Sequence, residues 1–275
     1  MKDYTELKKI ANEMRKLTVE GVYQAKSGHP GGSLSICEML TILFFKHMNV
    51  DVADAKNASR DRFVLSKGHA SPAYYSALAL KGFFPKEDIK TFRKIDSYLQ
   101  GHPCLNKVPG VDMSTGSLGQ GLSAANGMAM ISKYDKIDNR VYCICGDGES
   151  QEGQIWEAAM SSAHYKLDNL TLFVDCNGLQ IDGTVQDVMN NDSLAEKFKA
   201  FGWNVIEVAN GHDLEQLDCA VESAKAFKGA PTAIVCKTVK GKGVSYMENQ
   251  TAWHGAAPNK EQYEQAIAEL NSVEV

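Results

Sequence analysis

Short runs of branched apolar residues without polar alternation recur along the chain and constrain its fold more than any other feature. Such runs are typical of parallel strands that are buried on both faces of a sheet. The clearest are VYCIC, LTLFVDC and PTAIVCK, and RFVLS and WNVIEV are weaker examples. Strands are therefore predicted at 62–66, 141–145, 170–176, 203–208 and 231–237.

Helical patterns lie between several of these runs. Apolar residues recur at helical spacing in 151–165 and in 213–227, and Asp213 stands where its side chain can cap the second helix. This alternation predicts an α/β fold. Right-handed crossovers would place helices on both faces of an open parallel sheet.

The chain shows no internal repeat and no low-complexity linker, so a single domain, 1–275, is the simplest division. Its first 130 residues are rich in helical patterns that glycine-containing turns interrupt. A C-terminal segment from about 238 is predicted to be an extended surface loop, and a final helix is predicted near 259–270.

Composition limits the classes of protein that this chain can be. Hydrophobic residues make up 44% of it and charged residues 23%, as in soluble domains with a substantial core. Seven scattered cysteines indicate reduced thiols, and no apolar run approaches the roughly 20 residues that cross a bilayer. The net charge is -5 without a polybasic run, which argues against nucleic-acid and membrane partners. A cytoplasmic protein is expected.

A glycine-aspartate-glycine turn follows the predicted strand at 141–145. Asp147 lies in this turn, and Asn177 follows the next strand. Since ligands of open α/β sheets collect at the carboxyl ends of the strands, we expect the two side chains to share one edge. A carboxylate and an amide oxygen suit Mg²⁺ or Ca²⁺ when ligand phosphate, a main-chain carbonyl and water complete the shell.

Gly-Asp-Gly by itself is usually only a turn. Together with an asparagine thirty residues later and strands on both flanks, it resembles the fingerprint of proteins that bind thiamine diphosphate. The resemblance implies a diphosphate-binding (PP-type) domain. It also implies that Asp147, Asn177 and the carbonyl of Leu179 hold a divalent cation, Mg²⁺ or alternatively Ca²⁺ or Mn²⁺, against the diphosphate.

Four of the seven histidines lie beside glycine in turns. A histidine in a turn is most often a solvated surface residue, but imidazoles gathered in one cleft can move protons to and from sugar oxygens. The remaining three histidines, His47, His164 and His212, are interpreted as structural. The four candidates are His29 in SGHPGG, His69 in SKGH, His102 in QGHP and His254 in AWHG.

These turns, together with DRFVLSKGHA, TGSLGQGLS, GDGESQEGQIWEA and CNGLQIDG, resemble the amino-terminal third of transketolase from about residue 20 to about 255. The resemblance implies that the four histidines line a sugar channel and that His69 also touches the cofactor. Main-chain atoms of Gly116 and Leu118 would contact its aminopyrimidine end. The further cofactor contacts that the resemblance implies are Gly148 through its N–H, Glu149, Ile181 over the thiazolium ring, and Lys240 near the entrance.

Two glutamates, Glu152 and Glu157, lie on the helix after the Gly-Asp-Gly turn. The ordinary interpretation is a pair of exposed helical acids. The resemblance instead implies a carboxylate network at a subunit interface, in which Glu152 reaches toward the partner's activating glutamate.

Transketolases generally carry a pyrimidine-binding domain and a carboxy-terminal domain that have no counterpart in these 275 residues. The resemblance therefore implies the N-terminal subunit of a split transketolase, in an α₂β₂ assembly with a chain that supplies both domains. The expected reaction moves a two-carbon ketol unit from a ketose phosphate to an aldose phosphate.

Four alternatives remain open from the sequence. The chain could be the α subunit of a 2-oxo-acid dehydrogenase E1 component, which does not need the four histidine turns, or a deoxyxylulose phosphate synthase, normally one long chain. It could also be a non-catalytic module that binds a partner, although the intact candidate site argues against this, or a segment of a longer protein.

Overall fold

A five-stranded parallel sheet forms the centre of the computed structural model, which describes residues 2–273. The strand order in this sheet is β1-β2-β3-β7-β6, and β4 pairs with β5 in a small antiparallel hairpin. The strands are β1 (Arg62–Leu65), β2 (Val141–Gly146), β3 (Leu170–Cys176), β4 (Leu179–Gln180), β5 (Gly183–Thr184), β6 (Asn204–Val208) and β7 (Thr232–Lys237).

Ten α-helices are present in the described residues, and a π-helical turn at Leu43–His47 extends the third. They are α1 (Thr5–Ala25), α2 (Pro30–Leu34), α3 (Cys37–Ile42), α4 (Ser71–Lys81), α5 (Gln120–Tyr134), α6 (Gly153–His164), α7 (Val185–Met189), α8 (Leu194–Ala200), α9 (Leu214–Ala226) and α10 (Lys260–Asn271). Short 3₁₀ turns occur at Gly68–Ala70, Lys86–Thr91, Glu149–Gln151 and Thr251–Trp253.

All five predicted strands are confirmed within a residue or two of their bounds, and so are the two predicted crossover helices, α6 and α9. Asp213 caps α9, because its side chain accepts hydrogen bonds from the main-chain N–H groups of Glu215 and Gln216. The fold is the predicted open parallel sheet with helices on both faces.

Successive residues of each strand point to opposite faces of the sheet, and each face has its own core. Phe63, Ile144 and Phe173 pack with side chains of α1, α3, α4 and α9. Val64 and Leu172 pack on the other face, against α5, α6 and α8. Burial on both faces explains why the strand sequences are apolar throughout rather than alternating.

The segment that follows β7 differs from the predicted extended surface loop. It consists mainly of turns, and Val244 and Met247 are fully buried in a third cluster with side chains of α1 and α10. Asn259 ends the segment with a capping box that starts α10, so the predicted final helix is confirmed. Hydrophobic periodicity could not predict this burial, because apolar residues have no regular spacing in the segment.

A buried ion pair attaches this segment to the body of the protein. The Arg15 guanidinium donates to the Glu38 carboxylate at 2.5 Å and, through Nε, to the carbonyl of Lys242 at 3.0 Å. His212 links Glu38 to the segment: Nε2 accepts from the N–H of Val239 at 2.9 Å, so Nδ1 carries the hydrogen and donates to Glu38 at 2.9 Å.

All seven cysteines lie within the described residues and are free. None of the helices that the structure describes is long and apolar enough to cross a membrane.

Replacement of Glu38 by glutamine should lower the free energy of unfolding by roughly 3–5 kcal/mol, because Arg15 then stays buried without its counter-charge. Burial by itself would raise the pKa of Glu38, but Arg15 and His212 outweigh it and lower the pKa from 4.5 to about 2. The wild-type contribution is therefore present above pH 4.5 and is lost as the pH falls toward 2.

Urea unfolding of the wild type and of Glu38→Gln at several pH values measures both the loss of stability and its pH dependence. Exposed Glu87 provides the matched control, Glu87→Gln. Equal stability of Glu38→Gln and the control at pH 7 would contradict this account of the ion pair.

Candidate active site

A cavity of about 340 Å³ opens at the carboxyl ends of β1, β2 and β3, where an open α/β sheet is expected to bind its ligand. Three other cavities are larger: those of about 770 and 660 Å³ contain none of the predicted site residues, and one of about 470 Å³ contains only Asp147. The 340 Å³ cavity brings all of them together: His29, His69, His102, Gly116, Leu118, Asp147, Gly148, Glu149, Glu152, Asn177, Leu179, Ile181, Lys240 and His254.

The predicted cation ligands lie on two adjacent strand ends. Gly146, the last residue of β2, is in register with Asp175 of β3, which places Asp147 beside the turn that contains Asn177. The Asp147 carboxylate accepts hydrogen bonds from the main-chain N–H groups of Gly148 at 2.8 Å and Gly178 at 2.6 Å. No described side chain donates to it.

The donor set of these residues fits a divalent cation. Burial and, to a smaller extent, the nearby Asp175 carboxylate raise the pKa of Asp147 to about 6. A cation at the carboxylate would offset both effects. The Asn177 side-chain oxygen accepts only the N–H of Leu179, at 3.1 Å, so it retains a free lone pair.

Asp175 is a site residue that the sequence reasoning missed. Its fully buried carboxylate accepts from Lys67 Nζ at 2.6 Å, Ser35 Oγ at 2.7 Å and Asn177 Nδ2 at 2.9 Å, and also from the Thr238 hydroxyl. Because Asp175 accepts a hydrogen bond from Nδ2 of Asn177, it fixes the orientation of the Asn177 amide. The available signal was a carboxylate inside the apolar run LTLFVDC.

Three of the predicted histidines form a triangle. The ring centroids of His29, His69 and His254 are 5.1 to 5.4 Å apart. His102 stands apart from them and packs on Gly116, where an added Cβ would meet its ring at 3.1 Å.

These imidazoles are uncharged near neutral pH. Burial, together with the charge of Arg93, lowers the pKa of His29 to about 4. Burial, together with the charge of Lys240, lowers the pKa of His254 to about 3. Burial also lowers the pKa of His69 and, more modestly, of His102. Neutral imidazoles can each donate one hydrogen bond and accept another, which suits sugar oxygens.

Lys240 reaches the cavity from the turn-rich segment after β7. Its ammonium donates to the carbonyl of Leu179 at 3.3 Å and to Nδ1 of His254 at 3.0 Å. Burial and, to a smaller extent, the charge of Lys67 lower the pKa of Lys240 to about 8. A cationic side chain that pairs with no carboxylate of residues 2–273 suits an anionic ligand.

The remaining predicted residues occupy different environments. Gly148 directs its N–H to Asp147, and the buried carboxylate of Glu149 accepts from the N–H groups of Gly119 and Gly146, so Glu149 braces the turns around the cavity. Glu152 and Ile181 are exposed at the cavity's rim.

The sequence profile described as "Transketolase, thiamine diphosphate binding domain" matches residues 6–271. The chain belongs to the transketolase family and represents its thiamine diphosphate-binding domain. The family assignment made from the sequence motifs is thereby confirmed.

Relatives of similar length are named as subunits. The chain is 46% identical over 265 residues to the 6-deoxy-6-sulfo-D-fructose transketolase subunit SqwG of Clostridium sp. (strain MSTE9), covering 96% of both chains. It is 46% identical over 257 residues to an apulose-4-phosphate transketolase subunit of Phocaeicola vulgatus, covering 94% of this chain and 91% of the relative.

The solved structure of transketolase from Leishmania mexicana matches with a TM-score of 0.91 and 35% identity over 96% of this chain. The chain spans 41% of that protein's length.

Close packing of two glycine-containing turns shapes the cavity wall. A Cβ added to Gly68 would lie 2.7 Å from the main-chain nitrogen of Gly116 and from the Thr115 hydroxyl. Replacement of Gly68 by alanine should therefore lower the free energy of unfolding by roughly 1–3 kcal/mol, because it forces the turns apart.

Chemical denaturation of Gly68→Ala and Gly127→Ala provides the test. Gly127 lies within α5, and nothing is within 4 Å of its added Cβ, so its alanine variant should be about 0.5–1 kcal/mol more stable than the wild type. The packing argument fails if the two variants change in the same direction.

Proposed function

We propose that the chain is the N-terminal subunit of a two-chain transketolase, which binds thiamine diphosphate together with a divalent cation and transfers a two-carbon ketol unit between sugar phosphates. The observation that carries this proposal is the placement of Asp147 and Asn177 on adjacent strand ends, in the same cavity as four uncharged histidines. A partner-binding module without catalysis does not need this combination.

In this proposal Asp147, Asn177 and the carbonyl of Leu179 hold the cation, for which Mg²⁺ is favoured by the all-oxygen ligand set. Lys240 already donates to the Leu179 carbonyl and supplies positive charge beside the diphosphate. Bound thiamine diphosphate supplies the nucleophilic carbon that the reaction requires. The N–H of Gly148, which donates to Asp147 in the free chain, would be a donor to the diphosphate.

His29, His69 and His254 line one side of the proposed sugar channel and His102 lines another. Because their rings are neutral, they can orient sugar hydroxyl and carbonyl oxygens by donating or accepting hydrogen bonds. Gly116, Leu118 and Ile181 present main-chain atoms and an apolar side chain to the aromatic parts of the cofactor.

A separate chain would complete the site with a pyrimidine-binding domain and a C-terminal domain. The names of relatives that this chain covers almost fully, which describe them as subunits, support this arrangement. Exposed Glu152 and Ile181 at the rim would then face the partner. Helices α5 and α6 expose further apolar surface, including Tyr134, 83% exposed, and Met160, 62% exposed. An α₂β₂ assembly in the cytoplasm remains part of the proposal.

The substrate is a ketose with an anionic end group. The names of two equally similar relatives refer to different substrates, a sulfonated fructose and a phosphorylated apulose. A substrate panel should therefore contain xylulose 5-phosphate, fructose 6-phosphate, 6-deoxy-6-sulfofructose and apulose 4-phosphate, each with an aldose phosphate acceptor.

Ketol transfer should require both chains. We expect a mixture of this chain, the protein encoded beside it, thiamine diphosphate and Mg²⁺ to convert at least one donor of the panel, and either chain alone to show little or no turnover. Product formation followed by chromatography measures this. Oxidative decarboxylation of pyruvate, or a stable complex without turnover, would refute the proposed activity.

Replacement of Asp147 by alanine should weaken Mg²⁺-dependent binding of thiamine diphosphate at least about 100-fold, because loss of an outer-shell partner already costs 10–100-fold. Calorimetric titration of the two-chain complex, with and without Mg²⁺, measures the affinity. Asp138→Ala serves as the control, because Asp138 is exposed and precedes the opposite end of the same strand, β2. Unchanged affinity of Asp147→Ala would refute the ligand assignment.

A further inference from the structure

Arg93 carries a partly buried guanidinium that no carboxylate of the described residues pairs with. One of its terminal N–H groups donates to Ser27 Oγ at 2.7 Å, and the other terminal nitrogen lies 3.4 Å from Nδ1 of His29. Its buried Nε has no hydrogen-bond partner. An unpaired guanidinium is costly to bury, so its position calls for an explanation.

Contacts with three residues of two other segments fix the position of this side chain. The main chain of Arg93 has a φ of +59°, and its N–H donates to the carbonyl of Leu99 at 2.9 Å. The guanidinium lies against Gly101, where a Cβ would be 2.9 Å from Nε. With Ser27 as the third anchor, the guanidinium is held behind His29 and close to His102.

The contact between Arg93 and His29 determines which ring nitrogen carries the hydrogen. An arginine can only donate hydrogen bonds, so Nδ1 of His29 must accept and the hydrogen must reside on Nε2. The Nε2 edge of the ring lies toward Gly255, where a Cβ would be 3.6 Å away, on the side where His254 contributes to the cavity. The N–H of His29 is thereby placed on the ring edge beside the segment that carries His254.

We propose that Arg93 is a positioning residue that holds His29 as the neutral Nε2–H tautomer, so that His29 presents a hydrogen-bond donor to a sugar oxygen. The part of this inference that concerns the sugar rests on the proposed function, whereas the tautomer is a property of the chain itself. No proton is transferred in the binding step, since the imidazole donates a hydrogen bond and keeps its hydrogen.

The charges around His29 support the same state. Burial lowers the pKa of His29 to about 4, and Arg93, His102 and Lys240 contribute in that order. The other ionisable groups that face the ring are His69 and His254. Burial is the main cause of the lowered pKa of His102, and the charge of Arg93 is the second. One guanidinium therefore helps to keep two of the four histidines uncharged.

Nitrogen-15 NMR of the full chain labelled at histidine tests the inference, because protonated and unprotonated ring nitrogens have well-separated shifts. His29→Gln assigns the signals. In the wild type we expect an unprotonated Nδ1 and a protonated Nε2 that persist from pH 8 to pH 5. In Arg93→Gln we expect a mixture of tautomers and a titration midpoint about one pH unit higher.

Three further variants separate positioning from a general structural effect. Lys94→Gln removes the same charge from the neighbouring exposed residue and should leave the His29 signals unchanged. Arg93→Lys should keep the titration midpoint low, because the charge remains. Ser27→Ala removes the anchor of the guanidinium and should shift the tautomer population toward that of Arg93→Gln.

A protonated Nδ1 in the wild type, or identical His29 signals in the wild type and Arg93→Gln, would overturn the inference. The ketol-transfer assay of the two-chain complex tests the proposed function independently of the NMR measurement. If transfer fails while the tautomer result holds, the proposed function is wrong and the assignment of the His29 tautomer to Arg93 stands. If transfer succeeds, the acidic limb of the kcat/KM profile should move upward by about one pH unit in Arg93→Gln.

Discussion

The buried carboxylate of Asp175 is the contact on which the rest of the site depends. It joins Ser35 before α3, Lys67 after β1 and Thr238 after β7 to the end of β3. Each of these segments carries residues that line the cavity. Since a carboxylate is tolerated in a dry interior only when donors surround it, the four segments must meet before Asp175 can be buried. Formation of the core and assembly of the site are thus one event.

The cavity is arranged for a ligand with negative charge. Lys67, which is paired with Asp175, and Lys240 line it, and Arg93 lies behind His29. In addition to burial, these three charges help to lower the pKa values of the histidines. A diphosphate would balance this positive charge, and the cation at Asp147 would balance the diphosphate. Anionic and cationic groups therefore alternate through the proposed complex, which keeps each desolvated charge next to an opposite one.

The sequence predicted the features that depend on local pattern. Apolar runs located the five strands of the main sheet, and the spacing between Asp147 and Asn177 located the cavity, because strand ends of a parallel sheet share one edge. Roles set by distant contacts could not be predicted in this way. Arg93 lies in the polar stretch TFRKIDS, which resembles a solvated turn, and its partner Ser27 is 66 residues away. The burial of Val244 and Met247 likewise depends on α1 and α10.

The segment that carries Lys240 and His254 is clamped at both ends. His212 accepts a hydrogen bond from the N–H of Val239 at one end, and the capping box of Asn259 fixes the other end. An engineer who wishes to reshape the cavity can therefore vary exposed residues between these two attachment points while keeping the length of the segment. The attachment points themselves are poor targets, since a shift of one residue would move Lys240 and His254 out of the cavity.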